Sequence, residues 1–123
     1  MHEWQVDRVE EFDEWWAELN ESEKIDVSAS IKLLRALGPT LPFPHCSGVS
    51  QSRHSHMREL RAQHKGRPYR VFYAFDPNRA AVLLIGGDKT GKKRFYEEYV
   101  PKADKIYDLH LKTFKKGGKK THG

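Results

Sequence analysis

Residues 57–87 read MRELRAQHKGRPYRVFYAFDPNRAAVLLIGG, and this stretch decides the fold class. Residues 57–63 predict one strand and residues 69–75 the next, with a turn at Gly66-Arg67-Pro68 between them. Asp76-Pro77-Asn78-Arg79 is a second turn signal. Residues 80–85 are apolar at every position, as suits a central strand buried on both faces. Connections this short join antiparallel neighbours, so the segment predicts a meander that ends at Gly86-Gly87.

Upstream the apolar period lengthens from two to 3.6. Val9, Phe12, Trp16 and Leu19 recur at helical spacing, with Asp7 as the expected N-cap and Glu10 in the capping-box position. Trp15 and Trp16 are adjacent and cannot share a helix face, so one is expected in the core and the other partly exposed. Asn20 or Ser22 recaps the chain for a second helix carrying Val27, Ile31, Leu34 and Leu37, which ends at Gly38-Pro39. Residues 2–6 predict an edge strand, with Trp4 and Val6 on one face. Residues 38–56, with Pro39, Pro42 and Pro44, read as a long loop, a length common in functional or mobile segments.

Downstream, residues 88–100 predict a glycine-containing basic loop running into a short aromatic helix. Pro101 then suits the first position of a final helix bearing Ala103, Ile106, Tyr107 and Leu111. Residues 115–123 are rich in Gly and Lys, hold nothing to bury and are expected to be disordered. The expected order is β-α-α-β-β-β-α. That is a small α+β domain over residues 1–114, with a helical hairpin packed on one face of an antiparallel sheet, followed by a basic tail.

A chain of 123 residues suits one domain. Its only cysteine, Cys46, excludes an internal disulfide, and no apolar run reaches the ~18 residues of a membrane span. The opening Met-His-Glu-Trp lacks a basic, apolar leader pattern, so a soluble cytoplasmic protein is expected. Charge is divided unevenly. Residues 1–26 hold 10 acids against 2 bases, a net of −8, whereas residues 27–123 hold 20 bases against 7 acids, a net of +13. A basic remainder of this size, interleaved with aromatics, points to a phosphate-bearing partner such as nucleic acid.

Strand alternation locates the candidate chemistry. Leu60 and Arg58 should face the helices, leaving Met57, Glu59 and Arg61 opposite. Val71, Tyr73 and Phe75 should face the core, turning Arg70 and Phe72 outward. The open sheet face would then gather Glu59, Arg61 and Arg70. Arg70 is the strongest candidate for a charge-assisted clamp on a phosphate, with Arg61 a weaker copy. Glu59 reads either as a salt-bridge partner holding the arginines apart or as a general base; a carboxylate between arginines suits the first role. Lys89, Lys92, Lys93 and Arg94 flank Gly91 in a loop able to cradle a phosphate, though without P-loop spacing. Tyr96 follows this loop at the start of the aromatic helix, where it could pack on the core. His54 and His56 are candidates for proton exchange at neutral pH. His45, Cys46, His54 and His56 have the right atoms for zinc, but their spacing matches no standard site, and neither metal nor cofactor is expected.

The ordered series Ser52-Arg53-His54, Met57-Arg58-Glu59-Leu60-Arg61, residues 66–77, Leu83-Leu84-Ile85-Gly86-Gly87-Asp88-Lys89-Thr90-Gly91 and Arg94-Phe95-Tyr96, closed by Ala103-Asp104 and Tyr107-Asp108, resembles the RelE/ParE toxin superfamily. Within it the chain is most similar to the HigB-like, phage-related branch, over roughly residues 3–112. The resemblance implies a toxin of a bacterial toxin–antitoxin operon, neutralised by a helix-turn-helix antitoxin. Many members are metal-independent endoribonucleases that cut mRNA on the ribosome, leaving a 2′,3′-cyclic or 3′-phosphate and a 5′-hydroxyl. A sister group poisons DNA gyrase instead, and an inactive nucleic-acid-binding domain is a further alternative. The resemblance matches Arg70 to the superfamily's strand arginine and Tyr96 to its late aromatic, and with Arg61, Glu59 and Lys89 from the residue reading these form the expected catalytic set. Lys92, Lys93, Arg94, Arg58 and His54 would contact RNA phosphates. The best-studied ribonucleases place lysines where this chain has Met57 and Glu59, so the group that takes the 2′ proton stays open.

Overall fold

A computed structural model of the chain describes residues 3–122, with side chains through residue 114. The elements run β1 (Val6–Arg8), α1 (Glu10–Ala17), α2 (Glu21–Leu37), a 3-10 turn (Gly38–Thr40), β2 (Cys46–Gly48), β3 (Arg58–His64), β4 (Arg67–Phe75), β5 (Ala81–Asp88) and α3 (Phe95–His122). One sheet holds all five strands in the order β1-β5-β4-β3-β2. The fold is α+β, as expected, but the sheet is mixed: β1 lies parallel to β5, while the other pairs are antiparallel.

The meander is longer than its sequence signals suggested. Lys65 and Gly66 both take positive φ, 50° and 79°, and make the two-residue turn themselves. Arg67 and Pro68 therefore belong to β4, and His64 pairs with Arg67. At the other end, β5 does not stop at Gly86-Gly87 but runs through both. A Cβ on Gly86 would come within 2.4 Å of the Trp15 ring, and one on Gly87 within 2.8 Å of the Tyr99 ring on the opposite face. Glycine is needed here for close approach by aromatic rings from both sides. A bulge between Phe72 and Tyr73 leaves Leu84 without a partner.

Three other expectations are corrected. The N-terminal strand is Val6–Arg8, and the N-cap of α1 is Val9. Asp7 instead accepts hydrogen bonds from Gln5 Nε2 at 2.9 and 3.1 Å. The long loop contains β2, whose Cys-Ser-Gly sequence carries too little pattern to read but pairs Cys46 with Leu60 and Ser47 with Glu59. Pro101 lies inside α3 rather than at its start. Pro101 and Glu97, four residues back, are both exposed, so solvent can satisfy the carbonyl that proline leaves unbonded. The recap of α2 is a full capping box, with Glu23 N–H donating to Asn20 Oδ1 and Asn20 N–H donating to Glu23 Oε1, each at 2.8 Å.

Helices cover both sheet faces, not one. Phe12, Leu19, Val27 and Leu34 of the N-terminal hairpin pack on Leu60, Val71, Tyr73 and Leu83. Trp15 and Trp16 are both partly buried against this core. Leu37 leaves the expected stripe and is 39% exposed, because the chain turns at Gly38 (φ 54°) beneath Trp4. On the other face, Phe95, Val100, Ala103, Ile106 and Tyr107 of α3 cover Met57, Phe72, Ala74, Val82 and Leu84. Alternation placed Phe72 opposite Val71 correctly, but α3 buries it completely. The expected open face is therefore narrowed to a cleft beyond the start of α3. The basic tail from residue 115 lies outside the residues whose side chains are described.

Candidate nucleic-acid interface

The β3–β4 register sets Arg61 directly beside Arg70, and Glu59 beside Phe72, on the α3 side of the sheet. Cross-strand neighbours stand about 5 Å apart, so the two guanidinium groups share one patch. Like charges this close need a counter-charge, and Glu59 supplies it. Glu59 Oε2 lies 3.5 Å from Arg61 Nη1, and its Oε1 lies 3.5 Å from Arg70 Nε. Ser47 of β2 donates to Oε2 at 2.6 Å, and the Tyr96 hydroxyl of α3 donates to Oε1 at 2.6 Å. Three strands and one helix thus converge on a carboxylate that is 4% exposed.

Arg70 is almost as buried, and its Nη1 donates to the Tyr69 carbonyl at 3.0 Å. Its Nε, although within Coulomb reach of Glu59, has no hydrogen-bond partner. That Nε is sealed from solvent and faces Glu59 Oε1, so the carboxylate compensates its charge across a gap too long for a good hydrogen bond. Arg70 lines a cleft of about 320 Å³ with Pro44, His45, Arg61 and Gln63. A phosphate oxygen is the acceptor that best matches a guanidinium fork.

Tyr96 flanks this patch. Burial raises its phenol pKa, the bond to Glu59 raises it further, and Arg70 opposes the rise only in part. The hydroxyl therefore stays protonated at neutral pH and acts as a donor, not a base. Lys89 Nζ lies 5.4 Å from the centre of the Tyr96 ring, while its backbone N–H is fixed to the Pro68 carbonyl at 2.8 Å. Arg61, Arg70 and Lys89 against Glu59 leave the cleft cationic.

Of the candidate residues, the structure brings together Glu59, Arg61, Arg70, Lys89 and Tyr96. It disperses the rest. Lys92 Nζ lies over the Tyr99 ring at 5.6 Å. Lys93 and Arg94 are exposed, and Arg94 sits 3.9 Å from Glu97. Arg58 is on the opposite sheet face, where its Nη2 donates to Cys46 Sγ at 3.2 Å. His54 Nε2 lies 2.7 Å from Asp108 of α3, and His56 Nε2 lies 3.1 Å from the Tyr107 hydroxyl. Ser52 and Arg53 also bind Asp104 and Asp108, so this loop fastens onto α3. Burial alone would raise the Asp108 carboxyl, but its bonds from Arg53 and His54 bring it below the ordinary range. Cys46 Sγ donates to the Leu41 carbonyl at 3.1 Å. Among the described residues no three His, Cys, Asp or Glu side chains are placed to hold a metal ion, and no helix is long and apolar enough to cross a membrane.

The sequence reading missed His45, Ser47 and Gln63 as members of this site. His45 sits just before β2, and its carbonyl accepts from Arg61 N–H at 2.9 Å, which fixes the loop against β3. It is the one described histidine that lines the cleft. Only the β2–β3 pairing would have placed it there.

Comparison with known proteins places the chain in a family. Residues 14–108 match the family described as "Phage derived protein Gp49-like (DUF891)". The chain is 40% identical over 105 residues to "Putative toxin HigB3" of Mycobacterium tuberculosis, covering 85% of this chain and 90% of that protein. It is 37% identical over 113 residues to "Putative toxin HigB2" of the same organism, covering 90% of this chain and 56% of that longer protein. With the family model matching most of its length, the chain belongs to the phage-derived Gp49-like family and is a HigB-like protein.

Proposed function

We propose that this protein is the toxin of a toxin–antitoxin pair and inhibits translation by cutting mRNA on the ribosome. The observation that carries the reading is the pairing of Arg70 with Arg61, two guanidinium groups lining one cleft and set by Glu59. The HigB names of its relatives support the toxin role, and the family resemblance supports a helix-turn-helix antitoxin as the neutralising partner.

Each cleft residue has a part in such a reaction. Arg70 and Arg61 bind the scissile phosphate and stabilise the extra negative charge of the pentacoordinate phosphorus. Glu59 is already engaged by Ser47, Tyr96 and both arginines, so it positions the cations and is not the base. His45, an imidazole without an intramolecular partner among the described residues, takes the 2′-hydroxyl proton. The O2′–P bond forms as the P–O5′ bond breaks, and the departing 5′-oxygen takes a proton from water, while Tyr96 keeps its proton on Glu59 and holds that carboxylate in place. The products are a 2′,3′-cyclic phosphate and a 5′-hydroxyl. Lys89, beside the Tyr96 ring, adds positive charge next to the arginines, and the proton held by His45 returns to solvent, where it neutralises the hydroxide left by the proton-donating water.

The test is a cell-free bacterial translation reaction with mRNA 5′ ends mapped by primer extension. Wild-type protein should produce ends in register with the reading frame, only with ribosomes present. Arg70→Ala should cut about 10²–10³-fold more slowly, the loss typical of removing one donor to a developing oxyanion. Intact mRNA and undisturbed translation would overturn the reading and direct attention to DNA supercoiling by gyrase.

A further inference from the structure

Phe43 leaves a phenyl ring 70% exposed on the loop before β2, an unusual place for an apolar side chain. The loop holding it is not slack. His45 N–H donates to the Pro42 carbonyl at 3.0 Å, and Arg61 N–H donates to the His45 carbonyl at 2.9 Å, so the turn is fastened to β3. The Arg61 guanidinium carbon lies 5.4 Å from the centre of the Phe43 ring, while Nη1 of the same residue lies 3.5 Å from Glu59. One arginine therefore spans from the phenyl ring to the carboxylate that also meets Arg70. His45 and Gln63 line the cleft between these groups, and neither side chain makes an intramolecular hydrogen bond among the described residues.

An exposed aromatic ring, an arginine over it, a phosphate-binding guanidinium alongside and the Gln63 amide match what an unstacked nucleobase requires. The ring offers a stacking face, Arg61 offers a second planar group, and the Gln63 amide can read a base edge. We infer that Phe43 and Arg61 form a subsite for one nucleobase of single-stranded RNA, next to the phosphate held by Arg70. The inference rests on the proposed ribonuclease reading and deepens it by naming a residue that sets which base lies beside the cut. A protein contact at Phe43 is the competing use of the same ring, but it would not need the cations and base-reading amide that surround it.

The test compares wild type, Phe43→Ala and Phe43→Trp in the translation reaction, scoring cleavage rate and the base found at each position beside the cuts. Phe43→Ala should cut roughly 5- to 100-fold more slowly, the cost of losing one base–aromatic stack, and its base preference at one flanking position should flatten. Phe43→Trp should restore both rate and preference. Because the ring is exposed, both variants should melt within roughly 2 °C of wild type. Unchanged rate and preference in Phe43→Ala would overturn the subsite, as would failure of Phe43→Trp to rescue, which marks a shape-specific protein contact. If wild type cuts nothing while both variants remain folded, the ribonuclease reading falls and the subsite falls with it.

Discussion

Replacing Glu59 with leucine leaves the buried Arg70 guanidinium without the one carboxylate it meets among the described residues. The Arg70 side chain is 6% exposed, so water cannot take over the missing charge. Removing one member of a buried pair costs about 3–5 kcal/mol, because the survivor's desolvation is no longer compensated. The 3.5 Å separation is long, which favours the lower end of that range. Arg61 adds little, since its side chain is 31% exposed and stays partly hydrated. Ser47 and Tyr96 each lose an acceptor, about 1 kcal/mol apiece, while burying the leucine returns about 2 kcal/mol. The net is about 3 kcal/mol. An unfolding entropy of about 2.1 cal/mol/K per residue gives roughly 0.26 kcal/mol/K for this chain, so Tm should fall by about 12 °C. Calorimetry and urea titration of Glu59→Leu, Arg70→Leu and the double variant read this directly. The double variant should recover at least half of the loss, because replacing both members of a buried pair with apolar groups is close to neutral. A single-variant loss under about 1 kcal/mol, or a double-variant loss equal to the two singles together, would show that Glu59 does not hold Arg70.

The tie between α2 and β4 should govern stability at both pH extremes. The Tyr69 hydroxyl and then the Asn20 amide hold the Glu23 carboxyl below its ordinary 4.5, so its contribution is complete above about pH 4.5 and is lost as pH falls through the lower folded value. Burial, and then the bond to Glu23, push Tyr69 up to about 12, so its contribution is present below pH 10 and is lost as pH rises toward 12. In Tm-against-pH profiles, Glu23→Gln should flatten the acid limb and Tyr69→Phe the alkaline limb; unchanged limbs would remove these groups from the account. Gly86→Ala and Gly87→Ala should each cost about 1–3 kcal/mol through overpacking against Trp15 and Tyr99 respectively. Only the second presses on the helix that carries Tyr96, so mRNA cleavage should drop more than tenfold in Gly87→Ala and far less in Gly86→Ala. Equal activities at equal stability would break the link between that glycine and the site.

Much of the architecture is legible in strand alternation and helix punctuation. The pattern through residues 57–75 put Glu59, Arg61 and Arg70 on one face because side-chain direction in a strand is fixed by the pleat. Asn20 and Gly38 marked the ends of α2 because capping is local chemistry. What stayed hidden depends on partners distant in sequence. β2 has three residues and exists because β3 offers it hydrogen bonds. Asp7 looks like a cap, but parallel pairing of β1 with β5 carries the strand past it to Arg8. Pro101 looks like a helix start, yet apolar contacts of Phe95 and Val100 before it, and of Ala103, Ile106 and Tyr107 after it, hold helix on both sides. Those contacts closed the face that Phe72 was expected to share with solvent. His45 was invisible as part of the cleft because a loop residue carries no period from which its direction could be read.

The helix α3 is the last element in chain order, yet it brings Tyr96 to Glu59 and roofs Phe72. A chain leaves the ribosome N-terminus first, and the layer built on α1 and α2 needs nothing from α3. A growing chain can therefore assemble half of its interior while its cationic cleft still lacks the phenol that completes it. A protein with the proposed activity is thus born unarmed: the ribosome that makes it has read past the cleft before the cleft exists.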